Sequence, residues 1–414
     1  MSCGRWQERA MDSAPTTDTR KLTKAARALA GQRKATLALR QTRNLADVLF
    51  GDDVHAQRVE SLANGVAGVL NAAMLSIHAI GQAYAAMAGI QPRSGVKQLD
   101  RLLSNVKVEL KGLFPAWVRF VVGVRTELIV ALDWTEFEAD DHVTICAYAV
   151  TRHGRATPLM WQTHKKSEME GHRTAWEHEL VEQLHAAIPP TVAITLLADR
   201  GFGDQKLYEL LTLLGWDYVI RFRGCINVEN DAEETRPASE WVRPDGRAFK
   251  LRGAKVTEDK ASVPAVVLVH ARNMKEAWCL ATSLAAKTAS EIVKLYGRRF
   301  TIEETFRDAK DIRFGVGLKA THIGRTDRRD RLLFLFAMAH ALLTLLGAAS
   351  EKAELDKMLK SSSRADRTHS LFWQGNFWYR QLAIMRDDWF ESLMIAFDET
   401  VREHDVLVQA LGIL

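Results

Sequence analysis

Between Tyr296 and Lys310 the chain reads YGRRFTIEETFRDAK. Arg299, Glu303 and Lys310 follow Tyr296 at offsets of 3, 7 and 14. On an α-helix turning about 100° per residue these four share a stripe roughly 60° wide, and Arg307 joins it. Leu295, Ile302, Phe306 and Ala309 form an adjacent apolar stripe, the pattern of a helix with one edge on a core. A carboxylate flanked by two guanidinium groups, an ammonium and a phenol suits a site where a metal ion meets a phosphodiester. A solvated salt-bridge face is the competing reading of such a charge run.

Two further carboxylates bear on that choice. The run LIVALDWTEF (128–137) contains Asp133, and VAITLLADRGFGD (192–204) reaches Asp199 before a glycine-punctuated turn. Both read as buried strands that deliver an acid where a sheet opens to solvent. Each Asp alone could be a turn former. Asp133, Asp199 and Glu303 together, on strand, strand and helix, make hard-oxygen metal sites of the kind Mg²⁺ favours beside phosphate and water.

The blocks ALDWTEF, LADRGFGD and Y-x2-R-x3-E-x6-K resemble the catalytic core of bacterial DDE transposases of the insertion sequence 4 family, over roughly residues 94–346. Tyr296, Arg299, Glu303 and Lys310 match the signature tetrad without a gap, and Asp133 and Asp199 match the first two acids. The resemblance implies a cut-and-paste transposase that binds the terminal inverted repeats of its element, cleaves there and joins the 3′-hydroxyl ends to target DNA. Two Mg²⁺ ions, replaceable by Mn²⁺, would be held by Asp133, Asp199 and Glu303. Tyr296, Arg299, Arg307 and Lys310 would contact DNA phosphate. Trp278, in WCLAT, is similar to a tryptophan of the family that stacks on a flipped base, with core packing as the alternative. Double-stranded DNA and a second copy, as a homodimer in a synaptic complex, are the implied partners. Two readings stay open beside it: a ribonuclease-H-like nuclease or resolvase that cuts without strand transfer, and a transposase-derived DNA-binding regulator.

The chain has 414 residues, with 56 Lys+Arg against 51 Asp+Glu. The excess is mild but unevenly distributed: residues 1–45 hold ten basic and three acidic side chains, and Arg313–Arg331 six and two. Both stretches read as footprints for a phosphate backbone, the first equally as a solvated basic tail. Four cysteines, Cys3, Cys146, Cys225 and Cys279, show no paired spacing, which argues against a zinc site or a disulfide framework. No apolar segment follows the first basic residues, and the most apolar run, Leu332–Leu346, is shorter than the roughly 18 residues of a membrane span. A bacterial, cytoplasmic, nucleoid-associated protein with no membrane partner is expected.

The elements that must position these residues follow from periodicity. A helical DNA-binding region is expected over 1–115, including an alanine-rich stretch at 64–90 ended by Pro92 and a short helix capped by Ser94. Strands are expected at 127–135, 142–150 and 155–163, a helix at 172–187, the Asp199 strand, a helix near 204–214 and a strand at 218–222. Pattern alone makes this mixed α/β. With the resemblance it becomes a ribonuclease-H-like core, 123–223 and 286–349, interrupted by a β-rich insertion at 224–285. A C-terminal helical region, 350–414, carries Phe372, Trp373, Phe377, Trp378, Trp389 and Phe390 as core or as a protein–protein surface.

Overall fold

The computed structural model describes residues 39–402, apart from 41, 53, 152–154, 258, 311–315, 319–320 and 362–365. Most of the basic stretch 1–45, with Cys3, lies outside these residues, as do Arg313 and Lys319. The fold is mixed α/β, with a ten-stranded sheet and helices at both ends of the chain. Strands β1 (Glu127–Phe137), β2 (His142–Val150) and β3 (Ala156–Lys165) form an antiparallel meander. Helix α5 (Arg173–Ala187) then leads to β4 (Ala193–Ala198), which lies parallel to β1. Helix α6 (Gln205–Leu213) leads to β5 (Asp217–Phe222), parallel to β4. Every residue of β2 is buried, so HVTICAYAV reads as one apolar run rather than an alternation.

The β-rich stretch expected at 224–285 contains β6 (Asn227–Glu229), β7 (Thr235–Pro237), β8 (Phe249–Val256), β9 (Ala261–Val269) and β10 (Trp278–Thr282). These strands continue the same sheet. β10 pairs antiparallel with β5, setting Cys279 opposite Phe222, and the full order is β3-β2-β1-β4-β5-β10-β9-β8-β6-β7.

Helical residues 39–40 and 42–50 are followed, before the sheet, by α1 (Ala56–Ala72), α2 (Ile77–Ala88), α3 (Pro92–Ser104) and α4 (Leu110–Val122). The alanine-rich stretch is thus two helices, bent by 101°, the second capped by Ser76. Pro92 opens α3 at its first turn, with Gln91 rather than Ser94 as N-cap. Proline is favoured there because its missing N–H is one the helix start leaves unpaired anyway. Gly89, with φ +67°, closes α2.

Helix α9 (Thr326–Lys352) is the central buried rod and extends well beyond the apolar run Leu332–Leu346 at both ends. By length and apolarity it could cross a membrane, but 83% of its most apolar window is buried within the protein. Of the basic patch expected at 313–331, Arg325 is exposed and Arg329 and Arg331 are buried. Arg329 is fully buried against Asp140, His142 and the Phe137 ring, and Arg331 donates to the Val108 and Leu103 carbonyls at 2.8 Å. Arg328 pairs with Asp100 at 2.8 Å. These three arginines tie α9 to the N-terminal helices and to the turn after β1, leaving little of their charge for DNA. Helix α10 (Leu371–Gln381) meets α9 at glycines: a Cβ at Gly375 would lie 1.8 Å from the Leu343 carbonyl oxygen, and one at Gly347 1.9 Å from that of Leu371. Of the C-terminal aromatics, Phe372 and Trp378 are core, whereas Trp373 is exposed and stacks between His369 and Phe377. Trp389 and Phe390, on α11 (Asp387–Arg402), are half-buried.

Candidate active site

The parallel register of β1 and β4 sets Leu132 opposite Ala198, so Asp133 and Asp199 are the next residues on neighbouring strands. Asp133 is inside β1, opposite Cys146 of β2, and its Oδ1 accepts from the Trp134 N–H at 2.9 Å. Asp199 ends β4 and caps a 3₁₀ turn at Arg200–Phe202, accepting from the Gly201 N–H at 2.8 Å. Asp199 thus follows its strand end as expected, whereas Asp133 lies within β1, which runs on to Phe137 because its pairing with β2 continues past the acid.

Tyr296 to Lys310 is not one continuous α-helix. Helix α7 (Ala289–Gly297) passes through a 3₁₀ turn, Arg298–Phe300, into α8 (Thr301–Lys310). Arg299 on that turn is 6% exposed and bridges two acids: Nη1 donates to Asp133 Oδ2 at 3.0 Å and Nη2 to Glu303 Oε1 at 3.1 Å. Glu303 is half-exposed. Burial drives the Asp133 carboxyl up to about 6, the Arg299 charge opposes this, and the Asp199 charge adds to it. Burial acts against the Arg299 charge, yet Asp133, Tyr296, Asp199 and Glu303 outweigh it and hold Arg299 above its ordinary value.

The remaining candidates divide. Tyr296 is 1% exposed, edge-on to Trp278 at 4.9 Å and near Phe300, its phenol pushed up by burial with Arg299 opposing. It interacts with Arg299 and is buried, so the phosphate contact expected for it is not open in this conformation. Trp278 is half-buried and packs on Tyr296 and Phe300, next to the tetrad. Arg307 pairs with Glu304, which also faces Arg155 at 3.7 Å. Glu304 is therefore paired with Arg155 and Arg307, and Glu303 with Arg299, the arginine that also holds Asp133. Lys310 Nζ donates to the Glu136 carbonyl at 3.3 Å and lies over the Phe137 ring. Glu136 itself pairs with Lys166 at 2.7 Å.

Residues that the sequence reading missed hold α8 in place. Thr305, fully buried, accepts from the Ala156 N–H at 2.9 Å, and Asp308 accepts from Arg155 Nε at 2.5 Å. Both contacts reach β3 or the residue before it, about 150 positions away in sequence, so no local spacing signals them.

The three acids offer only carboxylate oxygens, a donor set suited to a hard divalent cation. Asp133 is partly buried and its desolvation is incompletely offset by Arg299, the condition that an added cation would relieve. Among the described residues no three His, Cys, Asp or Glu side chains converge as a ligand cluster; Asp133 and Glu303 are instead each paired with Arg299.

Residues 125–342 match the family of the transposase DDE domain. The match spans more than half of the chain, which therefore belongs to that family and acts in DNA transposition by cleaving DNA. No curated protein matches the sequence.

Proposed function

We propose that this is a cut-and-paste transposase of the insertion sequence 4 group, which binds terminal inverted repeats, cleaves at the element ends and joins the 3′-hydroxyls to target DNA. The observation that carries the reading is the pairing of Asp133 and Glu303 with the buried Arg299, with Asp199 one residue past the end of the strand that lies parallel beside Asp133. Strand order supports a ribonuclease-H-like core over 123–223 and 286–349: an antiparallel β1–β2–β3 meander with β4 and β5 added parallel beside β1. The segment 224–285 is then an insertion whose strands extend that sheet, with 350–414 a helical region beyond the core.

Asp133, Asp199 and Glu303 would hold divalent metal, Mg²⁺ or in its place Mn²⁺. When bound, the metal supplies activation of an oxygen nucleophile and charge neutralisation at the phosphorus. Asp133 is central because it comes from the inner strand and touches both Asp199's field and Arg299. Arg299 holds Asp133 and Glu303 at a set separation and presents a cation to incoming phosphate. Lys310 sits at the far end of α8 as a point charge over Phe137. DNA approach at the N-terminal helices is supported by a polar cleft of about 750 Å³ between α1 and α3, bordered by Arg58, Arg101 and Lys107. The working form would be a homodimer holding two ends, in a bacterial cytoplasm.

The test is incubation of the purified protein with labelled DNA from both borders of its gene and Mg²⁺. Nicked ends and joined products are expected. Cleavage without any joined product would turn the reading into that of a nuclease.

A further inference from the structure

We infer that Arg173 is a further phosphodiester-binding residue of the active site, on the Asp199 side, and that Glu177 and Trp134 are its positioning residues; the inference rests on the DNA-cleaving reading of that site. Arg173 is the first residue of α5. Its Nε donates to Glu177 Oε1 at 2.7 Å, one turn along the helix. Glu177 is 3% exposed, and the same oxygen accepts from Trp134 Nε1 at 2.8 Å. Trp134 follows Asp133 directly in β1, so the anchor of Arg173 is tied to the strand that supplies the central acid.

The rest of the guanidinium is left uncommitted. Its carbon lies 5.8 Å from the Trp134 ring and 5.6 Å from the Phe202 ring, which confine it between two aromatic groups. Neither Nη group has a hydrogen-bond acceptor among the described residues, and the side chain is 39% exposed. A Cβ built on Gly201 would lie 2.7 Å from Arg173 Nη2 and 3.0 Å from Asp199 Oδ1. The glycine thus makes room for a cation beside the second acid, yet Arg173 forms no ion pair with it.

That pattern separates binding from scaffolding. An arginine serving only to satisfy Glu177 would place its fork on the carboxylate, where two parallel hydrogen bonds are available. Here only Nε is used, and the prongs that match two oxygens of a phosphate remain open toward Asp199. The ligand chemistry is a backbone phosphate of the bound strand. Both prongs of Arg299 are engaged by Asp133 and Glu303, whereas the fork of Arg173 is open on the Asp199 side.

The experiment measures two quantities for wild type, Arg173→Ala, Arg173→Lys and Glu177→Gln. One is binding of a fluorescent duplex as salt is raised, and the other is Mg²⁺-dependent cleavage of duplexes from the gene borders. Arg173→Ala should lower the slope of log affinity against log salt by about one unit, the signature of one lost phosphate contact. Its cleavage should fall on the order of 10- to 100-fold, as for a lost charge-assisted hydrogen bond. Arg173→Lys keeps the charge beside Glu177 and guards against a variant that does not fold: its slope should stay near wild type while cleavage still drops, because an ammonium lacks the fork. Glu177→Gln should likewise keep the slope and lose cleavage. An unchanged slope in Arg173→Ala, or wild-type cleavage in both Arg173 variants, would overturn the inference. Asp133→Asn run alongside distinguishes the two levels: cleavage surviving there overturns the underlying reading, whereas cleavage lost there but intact in Arg173→Ala overturns only the role of Arg173.

Discussion

Asp133 and Arg299 set how the site responds to pH. The Asp133 carboxyl is held at about 6 in the folded protein against 3.8 ordinarily, by burial first and with Arg299 opposing. Between those values the folded state binds more protons than the unfolded one. Stability of the metal-free protein is therefore greatest at the acid end of this window, falls as pH rises through it, and is level above. Asp133→Asn should flatten that limb, measured as melting temperature against pH in the presence of a chelator. Arg299→Gln removes the charge that favours the carboxylate and should move the limb to higher pH. A limb that stays in place in Arg299→Gln would show that the guanidinium does not govern Asp133. At this scale the acids and the tetrad stood out in the sequence because each Asp closes an apolar run and the tetrad is spaced within one segment. The sequence could not disclose that Arg299 reaches Asp133, a contact spanning 166 positions, or that Trp278 and Phe300 bury Tyr296.

The placement of Glu303 belongs to α8 and its seat on β3. A continuous helix was the simplest reading of the 3.6-residue periodicity, but the chain tightens into a 3₁₀ turn after Gly297. Arg299 and Glu303 still pair across that junction. Thr305 locks the next turn to Ala156, and Thr305→Val would leave the buried Ala156 N–H without its acceptor. The expected cost is about 1–3 kcal/mol, seen as a lower melting temperature, with cleavage reduced because Glu303 shifts. A variant as stable and active as wild type would mean that α8 is held elsewhere. Strands β1 to β5 were legible in sequence almost to the residue, since each is an apolar run closed by a turn. That β10 joins β5 was not legible, because edge pairing depends on which strand lies free in space rather than on either strand's own pattern.

For the whole molecule, the N-terminal helices and the core are one packed body. Gly65 of α1 lies against Leu335 of α9, and Arg331 reaches back to Leu103 and Val108. Deleting residues 1–115 would therefore strip the cover from α9, and the truncated chain should be poorly soluble rather than merely unable to select DNA. Charge removal is the cleaner intervention. Arg101 and Lys107 are exposed at the cleft between α1 and α3. Replacing both by Ala should leave the melting temperature unchanged, weaken binding to duplex DNA, and lower its salt slope by about one unit per lost phosphate contact. An unchanged slope would place the DNA elsewhere. Within the basic patch at the start of α9, linear charge density does not reveal that Arg329 and Arg331 are buried against a carboxylate and carbonyls while Arg325 stays exposed.

The central claim is that Asp133, Asp199 and Glu303 form one DNA-cleaving site, and its most direct test is replacement of each acid without loss of volume. Asp133→Asn, Asp199→Asn and Glu303→Gln are compared with Glu304→Gln on labelled DNA from the gene borders with Mg²⁺, reading bound, nicked and joined species together. Each of the first three should abolish nicking and joining while DNA binding persists. Glu304→Gln should retain most activity, since Glu304 faces Arg155 and Arg307 rather than the strand ends. Wild-type nicking in any of the three acid variants, or a dead Glu304→Gln beside an active Glu303→Gln, would contradict the assignment.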